Sequence, residues 1–309
     1  MSVNNIYNRL EQLIDNLSIT EVRETYLRHQ IVYLERILKE ASKINYNPPE
    51  NQIEILSNSL EIIRFWYGGS FDRGVHINEG FDLDIYLIYS LIKGHEKKHN
   101  LGVKSLSGEI LFKILYDDLE AVHRNKNPNL IISNNVQFKH AVPIELEFNS
   151  QTIYVDCIPA IELPDGYLIA PNGWEGAKKV NLLLEEQGLS NVNKKTNGRA
   201  TKLILLLKYW NWNWEYPLKS YVIQRLVEEI YVKNKINSLD KAVKNFFSES
   251  IHLLNKYYDN EIVLRDRVYT DKSILDDYQK DTVDNFYENI QEANKFAMKN
   301  EWKELFGDF

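Results

Sequence analysis

Two stretches of the chain combine residue types that handle phosphate and metal: Gly68-Gly69-Ser70 and, with eleven residues between Ser70 and Asp82, Asp82-Leu83-Asp84. A Gly-Ser turn after a strand exposes backbone N–H groups and a hydroxyl, which together cradle phosphate oxygens. Two aspartates at i and i+2 of a strand project from one face. Adjacent carboxylates repel at neutral pH unless a cation sits between them, and an all-oxygen set beside a phosphate suits Mg²⁺ or Mn²⁺. A third carboxylate is needed to close a two-ion site and to accept a proton. Asp156, within Ile153-Tyr154-Val155-Asp156-Cys157-Ile158, is the candidate. Each feature alone is ordinary, since Gly-Gly-Ser turns are common and an Asp-x-Asp edge is usually a solvated face. Their combination, with a later aspartate in an otherwise apolar strand, points to a site.

The elements that must carry these residues are legible in the hydrophobic periods. Val3, Ile6, Tyr7, Leu10, Leu13, Ile14 and Leu17 recur at three and four, and Leu27, Ile31, Leu34 and Leu38 form a second stripe, so two helices open the chain. A third helix is expected from about Glu50 to Ile62. Arg64–Tyr67 reads as a short strand broken by Gly68-Gly69-Ser70. Phe81–Tyr89 alternates as a strand with both aspartates on one face, and Ser107–His123 reads as a helix. Residues 130–170 read as a meander of strands at 131–132, 136–138, 144–148 and 153–155, with Asp165-Gly166 as a turn. Beyond them, helices are expected at 174–187, 198–213, 218–232, 239–258 and 272–305.

Composition excludes several classes. The chain has 309 residues, 44% hydrophobic and 26% charged, which is globular. Lys plus Arg is 37 against 44 Asp plus Glu, a formal charge of −7, so a broad basic nucleic-acid footprint is not expected. One cysteine, Cys157, excludes an intramolecular disulfide and a cysteine zinc site and fits a cytoplasmic home. No signal segment is read at the N-terminus, and the longest apolar run, Leu203–Leu207, is far short of the ~20 residues of a membrane span, so no membrane association is expected.

With these residues in view, the chain resembles the DNA-polymerase-β-like nucleotidyltransferases, whose signature is a Gly-[Gly/Ser] turn, about ten residues, then Asp-hydrophobic-Asp-hydrophobic. Here it reads Gly68-Gly69-Ser70 and Asp82-Leu83-Asp84-Ile85. Within them it looks like the CD-NTases, bacterial relatives of cyclic GMP-AMP synthase and oligoadenylate synthetase that act in anti-phage signalling. The lead-in helices resemble that family's spine helix. The third aspartate arrives after a meander as Val155-Asp156. Leu205-Leu206-Leu207-Lys208-Tyr209-Trp210-Asn211 followed by Leu218-Lys219-Ser220-Tyr221 resembles its helical-lobe Lys and Ser-Tyr motif. The resemblance covers most of residues 20–260. It implies an α+β fold: a polymerase-β-like core with a mixed β-sheet and a long N-terminal spine helix, a helical C-terminal lobe, and a cleft between lobes. Residues 1–170 would form the helices and catalytic core, and 171–309 the helical lobe.

The resemblance also implies roles. Nucleoside triphosphates would be joined into a cyclic di- or trinucleotide, or a short oligonucleotide, with release of pyrophosphate and two Mg²⁺ or Mn²⁺ ions. Asp82, Asp84 and Asp156 would be the catalytic and metal-holding residues, with Asp156 helping to deprotonate the attacking hydroxyl. Gly69 and Ser70 would hold the β- and γ-phosphates and Lys208 would neutralise triphosphate charge; a lysine after the apolar Leu203–Leu207 run wants an anion in any case. Ser220 is either a phosphate ligand or a helix cap, and Tyr221 either stacks on a base or packs in the core. A downstream effector that responds to the cyclic nucleotide is expected as partner, and no DNA activator is implied. Two other functions stay open: a transferase adding a nucleotide to RNA, protein or a small molecule, and a catalytically silent nucleotide-binding scaffold. Glu145 and Glu147 read as a solvated sheet face, Cys157 as a core residue, and Trp210, Trp212 and Trp214 as packing between lobes.

Overall fold

A computed structural model of the chain describes residues 3–18, 21–41, 60–75, 83–91, 108–125, 130–132, 141–148, 151–163, 166–171, 176–214 and 219–307. The chain divides into two compact units. One comprises Thr20–Asp72 and Phe81–Asn181; the other comprises Met1–Ile19, Arg73–Gly80 and Leu182–Phe309.

The first unit is built on a mixed sheet. Its elements are helix α2 (Glu21–Ala41), strand β1 (Leu60–Tyr67), a one-turn helix α3 (Gly69–Asp72), β2 (Leu83–Leu91), α4 (Gly108–Asn125), β3 (Leu130–Ile132), β4 (Val142–Phe148), β5 (Gln151–Glu162), β6 (Leu168–Pro171) and β7 (Ala177–Val180). The strands run in the order β1-β2-β5-β4-β3, with β6 and β7 continuing from β5. Only β2 and β5 pair in parallel among these; the other pairs are antiparallel. A parallel pair needs a crossover, and α4 with β3 and β4 supplies it. Alternation fixes which face each residue takes. Leu83, Ile85 and Leu87 on β2, and Val155 and Cys157 on β5, are buried, whereas Asp84, Tyr86 and Asp156 are half-buried on the other face. Helix α4 lies against β3 to β6 and against α2, covering one side of the sheet with Leu111, Phe112, Ile114, Leu115 and Leu119.

The second unit is helical: α1 (Val3–Leu17), α5 (Leu182–Thr196), α6 (Arg199–Asn213), α7 (Ser220–Tyr231), α8 (Leu239–Tyr258), α9 (Lys280–Lys299) and α10 (Trp302–Phe306), with a 3₁₀ turn at Ile274–Asp277. Helix α6 is apolar on nearly every side, as a helix must be to sit centrally. Leu203–Lys208, Trp210 and Asn211 are all buried, and α1, α5, α7, α8 and α10 pack on it. Trp210 is 0% exposed and meets Phe247 edge-on at 4.9 Å. Trp214 packs on Phe296 and Trp210, while Trp212 stays half-exposed beside Tyr209. Of the three tryptophans expected between lobes, Trp210 and Trp214 therefore serve the core of the helical unit.

Three expected elements are corrected. Leu60–Ile62, assigned to the end of a helix, are the first residues of β1; the rest of that span, like the strand expected at 136–138 and Asp165 of the expected turn, lies outside the described residues. Residues 177–180 are strand β7 rather than helix, and the helix expected at 174–187 begins only at Leu182. The helix expected over 272–305 is interrupted twice. Ser273 closes a capping box with Asp276 on the 3₁₀ turn, and Asn300 ends α9 with φ 61°.

Candidate active site

The sheet unit assembles most of the expected acidic constellation by backbone geometry. Asp84 on β2 and Asp156 on β5 are register partners on adjacent parallel strands. Register partners share a face, and neighbouring strands lie only ~4.8 Å apart, so the two carboxylates emerge side by side. Asp82, the other expected carboxylate, lies outside the described residues. Glu145 on β4 is opposite Tyr154 and so sits diagonally from Asp156 on that same face.

The Gly-Ser turn is fitted to Asp84. Beyond the last β1–β2 pair, the Gly68 N–H donates to the Asp84 carbonyl at 3.0 Å. Gly69 has φ 63°, a left-handed conformation that glycine adopts without strain. A Cβ on Gly69 would lie 1.5 Å from Asp84 Oδ2, and one on Gly68 would lie 2.7 Å from the Tyr86 ring. The two glycines thus leave the space that lets the turn close on the aspartate. Ser70 follows, half-buried, in α3. The strand entering the turn is fixed from α2: the Tyr67 hydroxyl donates to Glu35, and the Lys39 ammonium sits 5.3 Å from the Phe65 ring centre. Burial, then the Glu35 hydrogen bond, pushes the Tyr67 phenol well above its ordinary range, so it stays a donor.

The donor chemistry of Asp84 and Asp156 suits a hard divalent cation. Among the described residues no group of three or more His, Cys, Asp or Glu stands in metal-holding geometry; Asp82 is not among them. Cys157, next to Asp156, is fully buried and points to the opposite face. Burial and the neighbouring Asp156 charge push its thiol far up, so it is packing rather than nucleophile.

Known proteins share this fold over nearly the whole chain. A protein of Bacillus cereus (strain VD146) named "Probable cyclic nucleotide synthase" is 26% identical over 305 residues, covering 88% of this chain and 87% of its own. CdnC of E. coli MS115-1, solved with ATP, superposes with a TM-score of 0.72 at 16% identity and 98% coverage of both chains. The Bradyrhizobium diazoefficiens CD-NTase CdnG, solved with GTP, gives 0.67 at 12% identity, covering 97% of this chain and 94% of its own. The fold is that of the CD-NTases. The resemblance drawn from the sequence is thereby borne out, although no family model matches the chain.

The remaining expected residues of this CD-NTase fold lie in its helical unit. Lys208 on α6 is 8% exposed, and its ammonium donates to the Val75 carbonyl at 2.6 Å. Ser220 is the first residue of α7, whose N-cap is Lys219 with no side-chain cap bond. The Tyr221 hydroxyl donates to Glu185 Oε1 at 2.7 Å. Glu185 belongs to a buried network that the sequence did not single out. Glu228 accepts from Arg225 Nη1 at 2.7 Å, from Gln224 Nε2 at 2.8 Å and from Arg267, and Gln224 Oε1 accepts from Arg73 Nε at 2.9 Å. The Arg267 guanidinium occupies the space over Gly188, where a Cβ would lie 1.6 Å from Nη2. Burial raises the Glu185 carboxyl above its ordinary value, against the lowering effects of Tyr221, Arg267, Arg225 and Arg73. The i, i+3 and i, i+4 spacing of Gln224, Arg225 and Glu228 was the one available signal. It marks neighbours on a helix but does not reveal their burial.

Proposed function

We propose that this chain is a nucleotidyltransferase that joins nucleoside triphosphates into a cyclic di- or trinucleotide, or a short oligonucleotide, and releases pyrophosphate. The observation that carries the reading is the register pairing of Asp84 with Asp156 beside a glycine turn that fits only around Asp84. The relative named as a cyclic nucleotide synthase supports the product class.

In this reading Ser70 and the amides near Gly69 bind the β- and γ-phosphates of the donor nucleotide. A hydroxyl of the second nucleotide attacks the α-phosphorus; the new O–P bond forms as the bond to the pyrophosphate oxygen breaks. Asp156 accepts the proton of that hydroxyl. Asp82, Asp84 and Asp156 would hold two Mg²⁺ or Mn²⁺ ions, which when bound neutralise charge on the attacking and leaving oxygens. Lys208 and Ser220 serve the triphosphate, and Tyr221, its hydroxyl held by Glu185, offers its ring to a base. We place the activity in the cytoplasm, in anti-phage signalling through a nucleotide-responsive effector. If so, expression should protect cells from phage, and an Asp84→Asn version should not.

The direct test incubates the purified protein with labelled nucleoside triphosphates and Mg²⁺ or Mn²⁺, then treats the products with phosphatase. Small phosphatase-resistant products are expected. Phosphatase-sensitive linear products or labelled macromolecules would replace cyclisation with nucleotide addition, and an absence of turnover would overturn the reading.

A further inference from the structure

The sheet face that carries Asp84 and Asp156 continues past them, and it is open on one side. Alternate residues of β5 share that face. Thr152 and Tyr154 are exposed, Asp156 is half-buried and Ile158 is buried. On the Ile158 side the face is occupied: Tyr86, the register partner of Ile158, lies against Gly68 of the glycine turn. On the other side Tyr154 is 54% exposed, although β5 is an inner strand of the sheet. Opposite Tyr154 stands Glu145 on β4, and opposite Glu145 stands Ile131 on β3, itself exposed. This row of aliphatic chain, carboxylate and phenol ring lies two residues, ~7 Å, from the row of Pro143, Asp156 and Asp84. A single exposed apolar residue is ordinary. Here the side chains of Tyr154 and Glu145 also have no hydrogen-bond, ion-pair or ring partner among the described residues.

We propose that Tyr154 and Glu145 hold the base of the attacking nucleotide: the base stacks on the Tyr154 ring, and Glu145 selects guanine. The proposal rests on the nucleotidyltransferase reading given above. That reaction joins two nucleotides and puts the attacking hydroxyl at Asp156. A nucleoside carries its base one ribose ring away from that hydroxyl, so the base comes to rest about one row along the sheet. The turn and Tyr86 fill one direction, which leaves the row of Tyr154. An aromatic ring accepts any base as a stacking partner. A carboxylate can only accept hydrogen bonds, so Glu145, which the sequence marked as a solvated sheet face, favours a base edge rich in N–H groups. Guanine offers two such groups side by side. Adenine and cytosine set one amino group beside an acceptor, and uracil sets one N–H between two carbonyls.

The experiment separates the two substrates in the full-length protein with Mg²⁺ or Mn²⁺. A 2′,3′-dideoxynucleoside triphosphate, which has no hydroxyl to attack with, serves only as donor and is kept saturating. Nucleoside triphosphates with a methylene bridge between the α- and β-phosphorus cannot release pyrophosphate and serve only as acceptors. The linear dinucleotide formed is measured against the concentration of each of four acceptors. In the wild type the guanosine acceptor should have the lowest KM. Tyr154→Ala should raise acceptor KM about five- to a hundredfold for every base, the scale of a lost stacking contact, with kcat and donor KM within about twofold. Tyr154→Phe should restore it. Glu145→Ala should raise KM for the guanosine acceptor about tenfold and leave the uridine acceptor within about twofold, and Glu145→Gln, which keeps the shape without the charge, should lose most of the preference. An acceptor KM unchanged in Tyr154→Ala overturns the proposal, and so does a base preference that Glu145→Ala and Glu145→Gln leave unchanged. If the wild type turns over no ordinary nucleoside triphosphate, the nucleotidyltransferase reading falls and this assignment with it. If the wild type turns over and the variants match it, the assignment alone falls.

Discussion

In the sheet unit, Asp84 and Asp156 stand together because β2 and β5 pair in parallel with these two residues in register. In the helical unit, Glu185, Tyr221, Gln224, Arg225 and Glu228 stand together with Arg73 and Arg267 through side-chain bonds reaching across up to 151 residues of sequence. Backbone register places acids without asking anything of their side chains, and the hydrogen bonds that fix it survive substitution of the acids. A side-chain network has no such backing, so each member is placed by the others. In the proposed reading, the sheet unit carries the groups that act on reacting atoms and the helical unit adds groups that adjust binding.

The substitutions that separate the two units most sharply are in the sheet. Asp84→Asn, like Asp82→Asn, should lower kcat by at least about a hundred- to a thousandfold, the scale of removing one preorganised electrostatic group, while the melting temperature holds. Asp156→Ala should lose turnover more severely than nucleotide binding, checked by calorimetry with a non-hydrolysable nucleoside triphosphate; equal losses would contradict the proton-accepting role. Gly69→Ala should follow, because its Cβ would displace the Asp84 carboxylate at a backbone position with φ 63°. We expect about 1–3 kcal/mol lower stability in denaturant unfolding together with a loss of turnover that Ser70→Ala does not match.

A smaller effect is expected from the helical unit. Lys208→Ala should raise KM about ten- to a hundredfold with kcat largely kept, the size of a lost charge-assisted contact of ~1.5–3 kcal/mol, and Lys208→Arg should recover part of it. A fall in kcat as deep as that of Asp84→Asn would erase the distinction between the units. The smallest effect concerns Glu185. Its folded carboxyl titrates above the ordinary value, so the folded form takes up its proton more readily than the unfolded one. Its contribution to stability is then fullest below the unfolded value, near 4.5, and falls as pH rises through the raised folded value. Glu185→Gln should flatten that slope: the difference in melting temperature between pH 5 and pH 7.5 should be smaller than in the wild type.

The same contrast explains which parts were legible in the sequence. The alternation of Leu83, Asp84, Ile85 and Tyr86 announced both the strand and its polar face, and Val155-Asp156-Cys157 did so for β5, because period two maps directly onto burial. Helices at 199–213, 220–231 and 239–258 agree closely with their hydrophobic periods. Residues 177–180 misled because the strand is short and Lys178 and Lys179 give it no apolar alternation. Of the Arg73–Gln224–Glu228 chain only the helical spacing of Gln224 and Glu228 was legible, since a polar residue on a helix looks the same in sequence whether solvent or a distant arginine satisfies it. Gly188 was equally silent: what it accommodates is Arg267, 79 residues away.

Cys157 has a practical consequence for probe chemistry. It is the single cysteine of the chain and is fully enclosed in the sheet unit. Maleimides and other alkylating dyes need an accessible thiolate, so the native protein is already a silent background for them. A cysteine installed at an exposed position such as Trp212 or Met298, 51% and 61% accessible, would take up the dye alone. Fluorescent or spin-label reporters of the proposed nucleotide binding can therefore be attached without first removing the native cysteine.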